Sequence, residues 1–371
     1  MFTERLARTR DAMHMQGIDA LLLSVGPDLP WLTGFAAMAM ERLSMLVLPA
    51  EGRPQLILPA FEADLVHDRE AVMDLVPWAE TEDPIALVSR SLGAHRAGNL
   101  AIGDHTWSRF LVALQAEMPD ARWQQASNVI SSLRAQKDAA EIEALARAGA
   151  GVDRIAAELQ TGEIPLIGRS ELAIAADIEA RILANGHRKV NFCIVASGPN
   201  SSSPHHHTGD RVVQSGEPIL FDFGGTTAEV DDAPGYCSDT SRMIFTGEPP
   251  VEFAEAYSAL QAAQEAGVRA ATVGTAAELV DSAARTVLTE AGLGQYFTHR
   301  LGHGIGVEAH EDPYLVGGND RPLAAGNAFS VEPGFYIAGK WGARIEDIVV
   351  ATDEGPRRLN NSSHELAIVE A

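Results

Sequence analysis

The spacing of apolar positions changes along this 371-residue chain. From about Glu4 to Met15 they recur at helical intervals, and Gly17 ends that helix. "IDALLLS" is a continuous apolar run of strand length, and "LSMLVLPAEGRPQLILPA" reads as two strands around a Glu-Gly turn. Helical stretches follow near Glu62–Arg69 and over Thr106–Glu117, so strands alternate with helices up to about Gln125–Val129. Between Asp138 and Leu159, the side chains of Ile142, Leu145, Val152, Ile155 and Leu159 share one helical face. Beyond it the texture turns β-rich, in "PILFDFGG", "SRMIFTG", "AFSVEPGFYI" and "ARIEDIVVATDEG", with helices expected at Val251–Ala271 and Ala276–Ala291. The pattern predicts two domains, a small α/β unit over residues 1–130 and an α+β unit over 131–371.

Composition narrows the partners. With 28 Lys and Arg against 51 Asp and Glu, the net charge is −23, which argues against nucleic acid or an anionic membrane as a partner. Two cysteines, Cys193 and Cys237, make neither a disulfide framework nor a thiolate zinc site. The N-terminal segment lacks an apolar signal core and no apolar run reaches the length of a membrane span, so a cytoplasmic protein is expected.

Four acids interrupt the β-rich runs: Asp222 in "ILFDFGG", Asp239 in "YCSDTSRMIF", Glu332 in "FSVEPG" and Glu346 in "ARIEDIVV". A carboxylate buried in such surroundings costs several kcal/mol, roughly, unless a cation answers it. Any one of them alone reads as a salt-bridged or strand-edge acid; four in the same half of the chain point to a shared metal site. "LGHGIGVEAHEDP" adds His303 and His310, seven residues apart among glycines. Its G-x-G-x-G spacing is not that of a dinucleotide loop, whereas glycine lets backbone pass close beneath a metal. Four carboxylates and a neutral imidazole balance two divalent cations, and oxygen-dominated ligation suits Mn²⁺, Co²⁺, Fe²⁺ or Zn²⁺.

The stretches "ASGPNSSSPHHHTGDR", "DFGG" with "GYCSDTSR", "HRLGHGIGVEAHEDPY", "FSVEPGFYI" and "GARIEDIVV" together resemble the Xaa-Pro peptidases, prolidase and aminopeptidase P, of the creatinase and methionine aminopeptidase superfamily. "GPDLPWLTGF" resembles the start of a creatinase-type N-terminal domain, so the likeness covers nearly the whole chain. It implies a creatinase-like N-terminal domain and a pita-bread catalytic domain holding two divalent ions, Mn²⁺ foremost. Carried over, Asp222 would chelate one metal, Asp239 and Glu346 would bridge both, and His303 and Glu332 would complete the second. The implied reaction is hydrolysis of the bond before proline by a hydroxide bridging the metals, with Glu332 passing the proton to the proline nitrogen. His310 would donate to the oxyanion, and His205 is the active-site histidine of its triplet, with His206 and His207 as loop residues.

His299, Tyr336 and Arg344 match positions lining the proline pocket. Arg344 would either grip a carboxylate bidentately or pair with an acid such as Asp347. Arg42, on the first domain, is a candidate for the free carboxylate of a dipeptide; its alternative is an exposed pair with Glu41 or another acid. The expected substrates are short proline-containing peptides, Xaa-Pro dipeptides above all, and the expected assembly is a homodimer. Alternatives are an aminopeptidase P acting on longer Xaa-Pro peptides, a hydrolase of non-peptide amides, and a catalytically silent binding relative. Two departures stand out. "TTAEVDDAPG" lengthens the turn between Asp222 and Asp239, leaving Asp231 and Asp232 as rivals in alignment, and Leu301 replaces a threonine usual before Gly302.

Overall fold

A computed structural model of the chain describes residues 1–66, 72–228 and 234–370. Asp231, Asp232 and the end of the Glu62–Arg69 stretch lie outside the described residues. The chain forms two compact units that part after Arg134. Helix α5 spans Ser127–Ala135, so this boundary falls just before the helix's last residue.

The first unit contains α1 (Phe2–Gln16), β1 (Ala20–Leu23), α2 (Asp28–Thr33), β2 (Met45–Pro49), β3 (Gln55–Pro59), β4 (Asp74–Trp78), α3 (Pro84–Leu92), β5 (Asn99–Ile102), α4 (Ser108–Glu117), β6 (Arg122–Gln125) and α5. Helix α1 stops where Gly17 takes φ 65°, a left-handed conformation that a Cβ resists. The described residues build a six-stranded sheet in the order β4-β3-β2-β1-β5-β6. The fully buried run of β1 lies near its middle, antiparallel to β2 and parallel to β5. The described part of Glu62–Arg69 falls in a 3₁₀ segment, Ala60–Leu65, rather than an α-helix. Phe61 and Leu65 are exposed there, while Val66 is fully buried.

The second unit opens with α6 (Ala139–Gln160), whose N-terminus is closed by a capping box between Asp138 and Glu141. Then come α7 (Glu171–Ala184), β7 (His187–Ser197), β8 (Pro218–Thr227), β9 (Thr240–Thr246), α8 (Val251–Ala270) and α9 (Ala277–Glu290). Short strands follow: β10 (Gly302–Gly304), β11 (Glu311–Leu315), β12 (Ala328–Val331), β13 (Gly334–Ile337), β14 (Trp341–Arg344), β15 (Asp347–Thr352), β16 (Gly355–Arg358) and β17 (Ala367–Val369). Among the described residues these strands make one sheet ordered β17-β9-β8-β7, a second ordered β11-β10-β12-β15-β16, and the hairpin β13-β14. An isolated bridge between Ser241 and Glu346 joins the first sheet to the chain entering β15.

Strand β8 explains how an acid comes to sit inside. Ile219, Phe221 and Phe223 pack with Val152 and Ile155 of α6 and with Ile174 and Ile178 of α7. Each fully buried side chain of that kind contributes about 2 kcal/mol. Strand alternation turns Asp222 to the opposite face, with Leu220. No described helix is long and apolar enough to cross a membrane.

Candidate metal centre

Strand register brings the acids together. Asp222 lies opposite Ile194 of β7 and Ser241 of β9. Asp239 sits two residues before Ser241 and so shares its face. Across the bridge, Ser241 meets Glu346, and its Oγ donates to Glu346 Oε2 over 2.8 Å. In the second sheet Val331 of β12 pairs with Asp347 of β15, and continuing that register one step sets Glu332 opposite Glu346.

His303 is delivered by β10, where glycine is required for close approach rather than for a special φ. A Cβ on Gly302 would stand 1.9 Å from the Ser330 carbonyl oxygen, and one on Gly304 would stand 2.1 Å from that of Asp312. The His303 backbone N–H donates to Ser330 Oγ (3.0 Å), and Ser330 Oγ donates to Glu332 Oε1 (2.9 Å). Nδ1 of His303 faces the Gly304 carbonyl at 3.0 Å, an acceptor only, so Nδ1 carries the hydrogen and Nε2 is turned to the acids. Nε2 lies 3.3 Å from Glu332 Oε1 and 3.8 Å from Asp239 Oδ2.

Ligand atoms of Asp239, His303 and Glu346 all lie within 4.8 Å of one another. Burial, then the charges of Glu346, Asp222 and Glu332, push the Asp239 carboxyl well above its usual range. Burial, with Glu332 and Asp222, raises Glu346 to about 8. Burial also opposes the charge on Glu332, but the hydrogen bond from His303 prevails and lowers it. Asp222 Oδ1 is buried and, among the described residues, has no hydrogen-bond partner. A largely buried cluster of carboxyl oxygens that repel one another, with an imidazole nitrogen facing them, fits hard or borderline divalent cations.

Arg344 offsets part of this charge. It donates to Asp222 Oδ2, to Tyr336 Oη (2.6 Å), to Ser241 Oγ (2.9 Å) and to the Pro204 carbonyl (3.4 Å). Of the two readings for this arginine, the structure shows a pair with an acid, but that acid is Asp222. Asp347 instead binds Arg242, Gln264, Arg358 and His364. Tyr336 Oη also lies 3.0 Å from His299 Nε2, and His299 Nδ1 faces the Arg300 carbonyl at 2.7 Å. The hydrogens therefore run Arg344 to Tyr336 to His299 to the Arg300 carbonyl, which fixes the histidine tautomer.

These side chains surround a cavity of about 570 Å³, within the range of small-molecule sites. His205, Asp222, Asp239, His299, His303, His310, Glu332, Arg344 and Glu346 all line it, with Phe192, Ile194, Pro204 and Arg300. His310 is exposed at one edge and stacks its ring on His303, centroids 3.8 Å apart at 28°. Tyr336 is buried behind the wall. Arg42 belongs to the first unit, where it pairs with Glu80 (2.7 Å) and Glu41 (2.5 Å).

Sequence reasoning overlooked Ser241 and Ser330, the hydroxyls that orient Glu346, Glu332 and the His303 backbone. Both sit inside the quoted motifs "GYCSDTSR" and "FSVEPGFYI", where a serine beside a buried acid was the available signal. His206, expected to be a loop residue, pairs through Nε2 with Glu171 Oε2 at 2.8 Å. Leu301 is fully buried beside Gly267, and its backbone N–H donates to Asp281 Oδ1 (2.9 Å).

Comparison with known proteins settles the lineage. Residues 139–353 match metallopeptidase family M24, and residues 5–136 match the creatinase/prolidase N-terminal domain. The chain belongs to metallopeptidase family M24. This M24 peptidase is 42% identical to a probable dipeptidase PepE of Mycobacterium tuberculosis over 100% of its own length and 97% of that protein's. It is 33% identical to the Xaa-Pro dipeptidase of Lactobacillus delbrueckii subsp. lactis, covering 98% of each. The crystal structure of dipeptidase PepE from Mycobacterium ulcerans superimposes with a TM-score of 0.92 at 43% identity, covering 100% of this chain and 98% of that one. The two-domain creatinase and pita-bread architecture expected from the motifs is thereby borne out.

Proposed function

We infer that this M24 peptidase hydrolyses Xaa-Pro dipeptides with two divalent ions, Mn²⁺ foremost, held by Asp222, Asp239, His303, Glu332 and Glu346. The observation that carries this is the meeting of Asp239, His303 and Glu346 in one small cavity with the other two groups on its wall. Full-length relatives named as dipeptidases support the substrate class. When bound, such ions acidify a water and polarise the scissile carbonyl.

The protein's own groups do the rest. Asp222 and Glu346 are held in place by Arg344, the second through Ser241. Glu332, steadied by Ser330 Oγ, takes the proton of the attacking water at its carboxylate and delivers it to the proline nitrogen. That nitrogen carries no hydrogen and is a poor leaving group until protonated. His310 donates an N–H to the carbonyl oxygen as it gains charge, and its stacking on His303 fixes the direction of that bond. His205 offers a second donor on the same wall, while His299 and Tyr336 shape the proline side.

The deciding experiment compares hydrolysis of an Xaa-Pro dipeptide with that of its Xaa-Pro-Xaa counterpart in Mn²⁺-supplemented enzyme. A dipeptide preference is expected; cleavage of the tripeptide alone would replace this reading with an aminopeptidase. The homodimer and the cytoplasmic setting belong to the same reading, and sedimentation and cell fractionation test them.

A further inference from the structure

His310 is exposed at the cavity edge, and Val307, Glu308 and Ala309 before it are only partly buried. Among the described residues no hydrogen bond engages its imidazole, which stacks on His303. The residue after it is held far more firmly. Glu311 Oε1 lies 2.5 Å from Lys137 Nζ, and both side chains are withdrawn from solvent, Lys137 1% and Glu311 7% exposed. Neither is among the residues lining the cavity. Lys137 is itself fixed at its backbone. Its N–H donates to the Gly326 carbonyl (2.9 Å), and the next residue, Asp138, caps α6. Gly306, at the other end of the His310 loop, packs against the same pair. A Cβ there would stand 2.6 Å from Glu311 Oε1 and 3.1 Å from Lys137 Cε, and the Gly306 carbonyl accepts from the Cys237 N–H (2.8 Å). The loop therefore begins and ends against one buried ion pair.

We propose that Lys137 is a positioning residue for the reaction: by pinning Glu311 beneath the loop, it sets where the His310 ring stands over the cavity. The proposal rests on the reading of His310 as the oxyanion donor. Successive side chains of an extended chain turn to opposite sides. A carboxylate drawn inward at Glu311, the first residue of β11, therefore leaves its neighbour His310 facing the cavity. A buried ion pair adds little net stability, but it resists displacement, because moving either charge leaves the other unpaired in the interior. Misplacing a catalytic group by about 1 Å costs about 10²-fold in rate, so an anchor of this kind governs kcat rather than substrate binding.

The test is a double-mutant cycle in steady-state kinetics of the Mn²⁺-reconstituted full-length enzyme on an Xaa-Pro dipeptide, with bound metal measured by elemental analysis. Lys137→Met should lower kcat about 10–100-fold, with KM within about threefold of wild type and metal content unchanged. In a His310→Ala background the same substitution should lower kcat by less than about threefold, since the group it positions is gone. No loss, an equal loss in both backgrounds, or a loss that follows metal content overturns the role of Lys137 and leaves that of His310 standing. A His310→Ala enzyme with wild-type kcat overturns the His310 reading and the proposal together. If Lys137→Met does not fold, Glu311→Gln keeps the shape of the acid and removes its charge. A kcat that does not fall in that variant, or falls equally without His310, refutes the proposal.

Discussion

At the scale of single residues, the centre depends on two serines as much as on its acids. Ser241 accepts from Arg344 and donates to Glu346, so one hydroxyl links the cavity's committed cation to a buried carboxylate. Removing an orienting partner of this kind costs about 10–100-fold in metal affinity. Ser241→Ala should therefore weaken metal binding by that factor in a competitive chelator titration, with the fold intact by circular dichroism. His310 is a different case, since it stacks on a proposed ligand without being one. His310→Ala should lower kcat by about 10²–10³ while metal content measured by elemental analysis stays unchanged. The ligand set was legible because a carboxylate in an apolar strand is conspicuous. The serines were not, because a serine in a strand is unremarkable until its neighbour across the sheet is known.

Among the elements, the loop between β7 and β8 shows what periodicity leaves unread. Glu171, the first residue of α7, is fully buried and accepts from the Ser197 backbone N–H and Oγ (both 2.7 Å), from Asn200 Nδ2 (3.0 Å), and from Gly209 N–H (3.3 Å). With His206 added, one carboxylate ties down the segment that carries His205. Burial works against its charge, but these bonds from Ser197, Asn200 and His206 prevail and hold it below its ordinary 4.5. A depressed folded pKa means its stabilisation is fully present above the unfolded value and is lost as pH falls through the folded one. Glu171→Gln would face several N–H donors with an NH₂ group, costing about 3 kcal/mol near neutral pH. Urea denaturation followed from pH 7 to pH 3 should show the wild type losing this difference on acidification while the variant lacks that component of the slope. Amphipathic runs such as α6, α8 and α9 were visible from their spacing. Partnerships such as Glu171 with His206 depend on chain reversal, which no local pattern encodes.

For the molecule as a whole, the proposed ligands come from β8, the approach to β9, β10, the end of β12 and the approach to β15. Those elements belong to two sheets joined at the Ser241–Glu346 bridge. Four acids crowded round one cavity repel one another until cations bind, so chelation should lower the thermal midpoint of the second unit. Re-adding Mn²⁺ at 100 times its dissociation constant should restore about 2.7 kcal/mol, measured by calorimetry. An unchanged midpoint would count against the centre. Because no two of these acids are neighbours in sequence, a partly folded or internally cleaved chain would gather too few of them at once to hold an ion firmly. The ions would then act as a late clasp, gripping only after distant strands have docked, and a metal-sensitive dye would read out completion of folding directly.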